Sequence, residues 1–289
     1  MEVFMKSARL TPYLFVLPAL VLFVTFRFYP LVSGSLYSFT DWNGIAAPRF
    51  IGLGNYIEIV HDPVFWDMMR NCAVVICTLP IWVGLPLILA IFIHLGVPGG
   101  GFYRAAFFFP IVLSSIIIGT MFSIILRFDG SFNQFLAVMS LEPVDWLGDQ
   151  RFALFSVICV AIWAHFGMNV LIFLSGLSTV PPELIDAAKV DGATLGQIIR
   201  KIIIPLLRSS IEFVAVITTI TILTSMFGLI YMMTAGGPGT STYMPEFLIW
   251  IMQGEFNRLG YASALSVILF LAVAVIGALQ IRMMKSDWK

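Results

Sequence analysis

Charge is what this chain has least of. Only 11% of its 289 residues are Asp, Glu, Lys or Arg, where a soluble domain carries roughly 25%. That shortage excludes an ordinary cytosolic enzyme, a nucleic-acid binder and a disordered scaffold. Cysteine is scarce as well. Cys72, Cys77 and Cys159 are odd in number, lie within apolar runs and match no zinc or haem spacing, which argues against a disulfide framework. They read as small packing residues. The three histidines, His61, His94 and His165, fall in three separate segments. No Gly-x-x-x-x-Gly-Lys-Ser/Thr loop occurs, so the chain hydrolyses no ATP through a Walker site. The His-Glu-x-x-His helix and the Gly-x-Ser-x-Gly elbow are missing too. The expectation is a chain with no catalytic residues, no metal site and no cofactor of its own.

Apolar sequence takes their place, at 60% of the chain. A helix crossing a bilayer needs about 20 mostly apolar residues. Six stretches meet that length, at about 11–39, 71–95, 105–126, 152–174, 211–233 and 262–281. Their runs are continuous rather than alternating, and backbone cannot go unpaired in lipid, so each reads as a helix and not a barrel strand. Lys6 and Arg9 precede the first run as in a signal peptide, but no small-residue cleavage site follows, and a retained helix is expected. The sequence thus predicts an all-α, multi-pass membrane protein forming a single domain over 1–289.

The net charge of zero gains meaning once the charges are sorted by segment. With the N-terminus in the cytoplasm, Lys6, Arg9, Arg104, Lys189, Arg200, Lys201, Arg208, Arg282, Lys285 and Lys289 lie inside, and Arg49, Arg70, Arg127, Arg151 and Arg258 outside. Ten cations against five place both termini inside. The acidic residues run the other way. Five (Glu2, Glu183, Asp186, Asp191, Asp287) fall inside and ten outside, so the cytoplasmic face carries about +5 and the opposite face about −5. Arg27 and Glu212 cancel within the spans. Ion-coupled transporters bury ionisable groups at mid-membrane. Arg27 is expected to snorkel and Glu212 sits at the start of its helix, which leaves His165 as the one titratable group well inside a span, a thin basis for a proton relay.

The inside loop at 175–210 is the longest and carries the strongest signals. Pro181-Pro182-Glu183 is suited to a first helical turn. A helix over 183–190 then meets the turn pair Asp191-Gly192. A second helix, capped at or near Thr194, places Leu195, Ile198, Ile199, Ile202 and Ile203 on one face before Pro205. By physical chemistry alone the pair suits either the inner leaflet or another protein's groove, with small Ala187 and Ala188 permitting a close fit.

The run from Glu183 to Ala193, followed by Ile202-Ile203-Ile204-Pro205, resembles the EAA loop of membrane subunits of ATP-binding-cassette importers. Asp186 stands where that pattern has Glu and Ile204 where it has Leu; Ala187, Ala188, Gly192, Ile202 and Pro205 match its spacing. Tyr29-Pro30-Leu31, Ile51-Gly52-Leu53-Gly54-Asn55-Tyr56, Asp62-Pro63-Val64-Phe65-Trp66, Thr234-Ala235-Gly236-Gly237-Pro238 and Gly260-Tyr261-Ala262-Ser263-Ala264 extend the likeness over most of the chain. They resemble the carbohydrate branch, the maltose and glycerol-3-phosphate transporter type, and in particular its first membrane subunit in a compact six-span form.

The resemblance implies a type I (MetI-like) importer permease fold. It implies a second homologous permease subunit, two ATPase subunits that bind ATP and Mg, and an extracytoplasmic solute-binding protein delivering a carbohydrate. It assigns ATPase coupling to Glu183, Asp186, Ala187, Ala188, Asp191, Gly192 and Pro205, and rigid-body transmission in place of chemistry. The inner membrane of a prokaryote is then the expected location, and lipid, not nucleic acid, the surrounding partner.

Polar groups within spans nominate a substrate pathway: Ser114, His165, Met168, Asn169, Thr218, Thr221, Ser225 and Tyr231. Thr218, Thr221 and Ser225 share one helical face, as do His165 and Asn169. Hydroxyls and amides suit a sugar's hydroxyls, and rings such as Trp163 or Tyr231 its apolar face. The Gly- and Pro-rich segment 234–243 is expected to form an outside loop facing the binding protein. A gradient-driven transporter or channel acting alone is the alternative.

Overall fold

A computed structural model of the chain describes residues 2–96 and 100–286, with side-chain surroundings for 13–96 and 106–282. Glu2, Lys6, Arg9, Arg104, Lys285, Asp287 and Lys289 from the charge count lie outside the described side chains. The chain forms two compact units. The first takes residues up to His61 together with Ile249–Ile268. In it α1 (Glu2–Phe23) passes through a π-helical turn at Val24–Phe28 into α2 (Tyr29–Tyr37), with Pro30, which has no N–H to give the preceding turn, just after it. Tyr13–Tyr37 is long and apolar enough to span, and none of its most apolar stretch is buried within the chain. Arg27 sits exposed in the π turn.

Strands β1 (Thr40–Asp41) and β2 (Arg49–Phe50) pair antiparallel beyond α2. Asn55 at the start of α3 (Gly54–His61) is buried, and its amide donates to the carbonyls of Ser38 (2.8 Å) and Thr40 (2.9 Å). Gly260 closes the same corner. Its N–H donates to the Trp42 carbonyl at 3.0 Å, and a Cβ there would lie 1.9 Å from the Thr40 oxygen.

The second unit, Asp62–Leu248 with Leu269–Lys289, opens on a capped helix. Asp62 accepts from the Val64 N–H (2.9 Å) ahead of Pro63, so α4 (Pro63–Cys77) starts eight residues before the expected 71. Apolarity marks where lipid begins, while the cap marks where the helix begins. With α5 (Leu79–His94) it makes one 32-residue span, interrupted only at Thr78.

The expected helix over 105–126 is two helices. α6 (Gly100–Val112) and α7 (Ser115–Ile125) meet at an angle of 114°. Pro110 weakens the end of α6. Ser114 is extended and accepts from the Ile117 N–H (3.3 Å), starting a new helix within an apolar run. α8 (Ser131–Val138) precedes the long α9 (Gln150–Leu177), whose cap Asp149 accepts from the Arg151 N–H at 2.8 Å. The Arg151 guanidinium beside it holds the Asp149 carboxyl down at about 2.

Three short helices follow: α10 (Pro182–Val190), α11 (Leu195–Ile198) and α12 (Ile204–Leu206). The expected helix over 211–233 is broken as well. α13 (Arg208–Thr224) stops at Ser225, and α14 (Phe227–Met233) begins afresh with Glu246 of α15 (Pro245–Gly254) accepting from the Phe227 N–H at 3.1 Å. Burial pushes the Glu246 carboxyl up. α16 (Leu259–Ser286) is the last helix. Among the described residues four helices are long and apolar enough to cross a membrane, or up to six spans where each of two bent pairs, 106–125 and 195–224, counts as one; the second pair brings in the loop helices rather than α14.

Gln280 on α16 donates to Thr219 Oγ1 (3.1 Å), while its own Oε1 is buried with no partner. Removing an amide that is half satisfied is cheap, so Gln280→Met should change stability by less than about 1 kcal/mol. Thr219→Val leaves the whole amide orphaned and should cost about 1–3 kcal/mol. Thermal unfolding in detergent ranks the two, and the reverse order would refute the account.

Candidate coupling helix and transport cavity

The loop helix α10 is built by its ends. Pro182 sits in the first turn with Glu183, and Lys189 in the last, each charge on the favourable end of the helix dipole. At the far end the Gly192 N–H donates to Lys189 O (3.0 Å) and the Ala193 N–H to Ala188 O (2.9 Å). That is a Schellman closure, and it needs Gly192 at φ +78°. Thr194 and Gln197 then exchange bonds in a capping box that opens α11. A π-helical turn at Ile199–Ile203 follows, then Pro205, exposed in α12. The segment Leu195–Leu206 meets Arg208–Thr224 at 68°.

Burial assigns the faces of α10. Ile185 is buried and Ala188 half-buried, packed into a cluster with Ala90, Ile93, Phe173 and Leu177. Ala187 and Ala188, expected together to permit a close fit, thus lie differently within the chain, with Ala187 exposed and Ala188 half-buried. Three residues apart, Ile185 and Ala188 share a face, and that face belongs to the chain's own core. Leu184 (46%) is exposed at the edge of that face, and Ala187 and Val190 (88%) are exposed on the other side. Glu183, Asp186 and Asp191 are exposed too, with Asp186 paired to Lys189 at 3.0 Å. Leu184 and Val190 are the surface residues that sequence reasoning missed. The signal was there, because their spacing matches Ala187's as well as Ile185's matches Ala188's.

A cavity of about 430 Å³ lies between α5, α9 and α13. His165, Met168, Asn169 and Ile172 of α9 line it, with Phe213, Ile217, Thr218 and Thr221 of α13 and Trp82 of α5. None of the nine is charged. Its framework follows from a proline. Pro86 has no N–H, so the Trp82 carbonyl four residues back loses its helical partner. The buried Asn169 amide replaces it, donating to Trp82 O (3.1 Å) and to Thr218 Oγ1 (3.3 Å), and so ties three helices together. Trp82 Nε1 donates to Thr78 Oγ1 (3.0 Å), and its ring lies 5.8 Å from that of His165, whose Nδ1 meets Ala161 O at 3.0 Å.

Five of the eight pathway residues nominated from sequence therefore line one cavity. The other three do not. Ser114 is the cap of α7, Ser225 is exposed at the end of α13, and Tyr231 stacks on Phe227 (5.5 Å) in α14. Ser225 was placed by helical spacing, which fails where the helix stops. Trp163 meets Phe122, and both line a separate, largely apolar cavity of about 370 Å³. Trp82 was missed, since a tryptophan in an apolar run carries no sign of its role. Among the described residues no cluster of three His, Cys, Asp or Glu could hold a metal.

Residues 44–285 match the family described as binding-protein-dependent transport system inner membrane component. The chain belongs to that family. Among the permease's relatives, the probable ABC transporter permease protein YurN of Bacillus subtilis is 31% identical over 96% of this chain and 97% of its own. The multiple sugar-binding transport system permease protein MsmF of Streptococcus mutans is 33% identical, covering 94% of each. A bacterial alginate ABC transporter, solved in complex with its alginate pentasaccharide-bound periplasmic protein, has a chain that superposes with a TM-score of 0.87. That superposition covers 100% of the permease and 99% of the alginate chain at 22% identity, a likeness of fold. The permease is thus a transport subunit, and its family's members are membrane components rather than enzymes.

Proposed function

We propose that the permease forms half of the translocation pathway of an ATP-driven carbohydrate importer, with both termini in the cytoplasm of a prokaryote. A second, homologous permease subunit completes the pathway in the inner membrane. Two ATPase subunits, which hold ATP and Mg, receive α10, and an extracytoplasmic solute-binding protein delivers the sugar. The cavity carries this reading. Hydroxyl, amide and imidazole groups stand among apolar and aromatic walls without a formal charge, the chemistry that fits a sugar with its hydroxyls and its apolar ring face. A relative named for multiple sugars and a fold neighbour that imports alginate support it.

The test is uptake by the assembled transporter in proteoliposomes with the solute-binding protein. Uptake should require internal ATP. Filling the cavity with Thr221→Phe should lower it about tenfold or more, as for a pocket contact worth upwards of 1.4 kcal/mol, while ATP hydrolysis continues. Sugar uptake by this chain alone, without ATP, would sink the reading in favour of a gradient-driven transporter or channel.

A further inference from the structure

The loop between α14 and α15 is held by side chains that have no part in the cavity or in α10. Asn71 is 1% exposed, and its amide donates to two carbonyls of that loop, Thr240 (2.9 Å) and Tyr243 (3.1 Å). Asp67, one helical turn earlier on the same face of α4, accepts from Thr240 Oγ1 at 2.7 Å. The loop is also closed on itself. Thr234 and Thr242 share a hydrogen bond between hydroxyls (2.7 Å), and Thr242 Oγ1 reaches Gly237 O at 3.1 Å. Gly236, at φ +85°, has no room for a side chain, since a Cβ there would lie 2.3 Å from the Phe247 ring. A buried carboxamide spent on a loop far along the chain is costly to misplace. It therefore fixes the loop's shape strongly.

Position along the span says what that shape serves. The stretch from Asn71 to Ile93 rises by about 30 Å at 1.5 Å per residue, roughly the thickness of a bilayer's hydrocarbon core. Ile93 packs in the cluster that seats α10, so the loop and α10 lie at opposite ends of one span. Where α10 meets the ATPase, the loop faces the compartment of the solute-binding protein.

We propose that Asp67 and Asn71 are positioning residues for binding-protein docking, holding residues 234–244 in the shape the liganded binding protein recognises. This rests on the importer reading above. Preformed loops bind more tightly because the ordering cost is met before encounter.

The measurement is ATP hydrolysis by the assembled transporter in nanodiscs against the concentration of its sugar-loaded solute-binding protein. Asn71→Leu and Asp67→Ala should raise the half-saturating concentration about tenfold, the size of one or two lost hydrogen bonds, with the rate in the absence of binding protein unchanged. Asp67→Asn, which keeps an acceptor for the Thr240 hydroxyl, should restore most of the affinity. Thr240→Val tests the same latch from the loop side should Asn71→Leu fail to assemble. Unchanged half-saturation in Asp67→Ala and Thr240→Val overturns the proposal, as does a parallel fall of basal and stimulated rates. A wild-type transporter whose ATPase ignores the binding protein overturns the importer reading itself, and this inference with it.

Discussion

On the proposed importer reading, Val190→Asp and Leu184→Asp should each strip the ATPase from the permease while leaving the permease folded. Val190 is 88% exposed and Leu184 46%, so neither supports the chain's own core. Seated in a partner's groove, a carboxylate at either position is desolvated with no counter-charge supplied by α10, whose Lys189 already pairs with Asp186. Interface anchors of this kind cost about 2 kcal/mol or more, so retention of the ATPase on affinity-purified permease should fall roughly thirtyfold and uptake should fall to background. Asp186→Ala is the contrast. Its ion pair is exposed and worth about 0–1 kcal/mol, so only a modest loss is expected. Ala188→Arg fails differently, because it forces a charge into the cluster around Ile185 and lowers the stability of the permease itself. Pull-down and thermal unfolding run on all four variants separate these outcomes. Full ATPase retention in both aspartate variants would show that α10 docks by another face.

The six apolar stretches were legible because lipid imposes one length on every span. Their interruptions were not. Within 105–126 the run stays apolar through Leu113, and the fold turns there on one serine hydroxyl that captures a backbone N–H. The break at Ser225 depends on Glu246, which supplies an acceptor to the start of α14 from nineteen residues away. Helix α10 was legible in its ends and ambiguous in its faces. Two apolar pairs, Leu184 with Ala187 and Ile185 with Ala188, present the same periodicity, and only the packing of Ala90 and Ile93 decides which turns inward. The cavity was half legible. Spacing along α9 and α13 put the right polar residues on common faces. The reason Asn169 is fixed, a carbonyl orphaned by Pro86, lies 87 residues away across the fold.

The same dependence on close backbone approach sets the largest stability effect expected in the membrane core. A Cβ on Gly167 of α9 would lie 2.1 Å from the Phe107 carbonyl oxygen and 3.0 Å from Ile111 of α6. The obstacle is a main-chain atom, so no side-chain rotation relieves it and α6 must leave α9. Small residues at helix crossings stabilise membrane bundles by admitting contact of this kind. Gly167→Val should therefore cost about 3 kcal/mol or more, at the severe end for overpacking, and lower the melting temperature by several degrees. Gly176 meets side chains rather than backbone, the Ser210 hydroxyl (2.3 Å) and Cβ (3.1 Å) and Leu207 Cδ2 (3.0 Å), so Gly176→Ala should be milder. Gly84 has nothing within 4 Å, so Gly84→Ala should be neutral or slightly stabilising through helix propensity. His165 and Asn169 flank Gly167 on the same helix, so the Gly167→Val permease should also lose uptake in step with its loss of stability. If thermal unfolding in detergent places Gly167→Val beside Gly84→Ala, the crossing of α6 and α9 is not the fixed contact described.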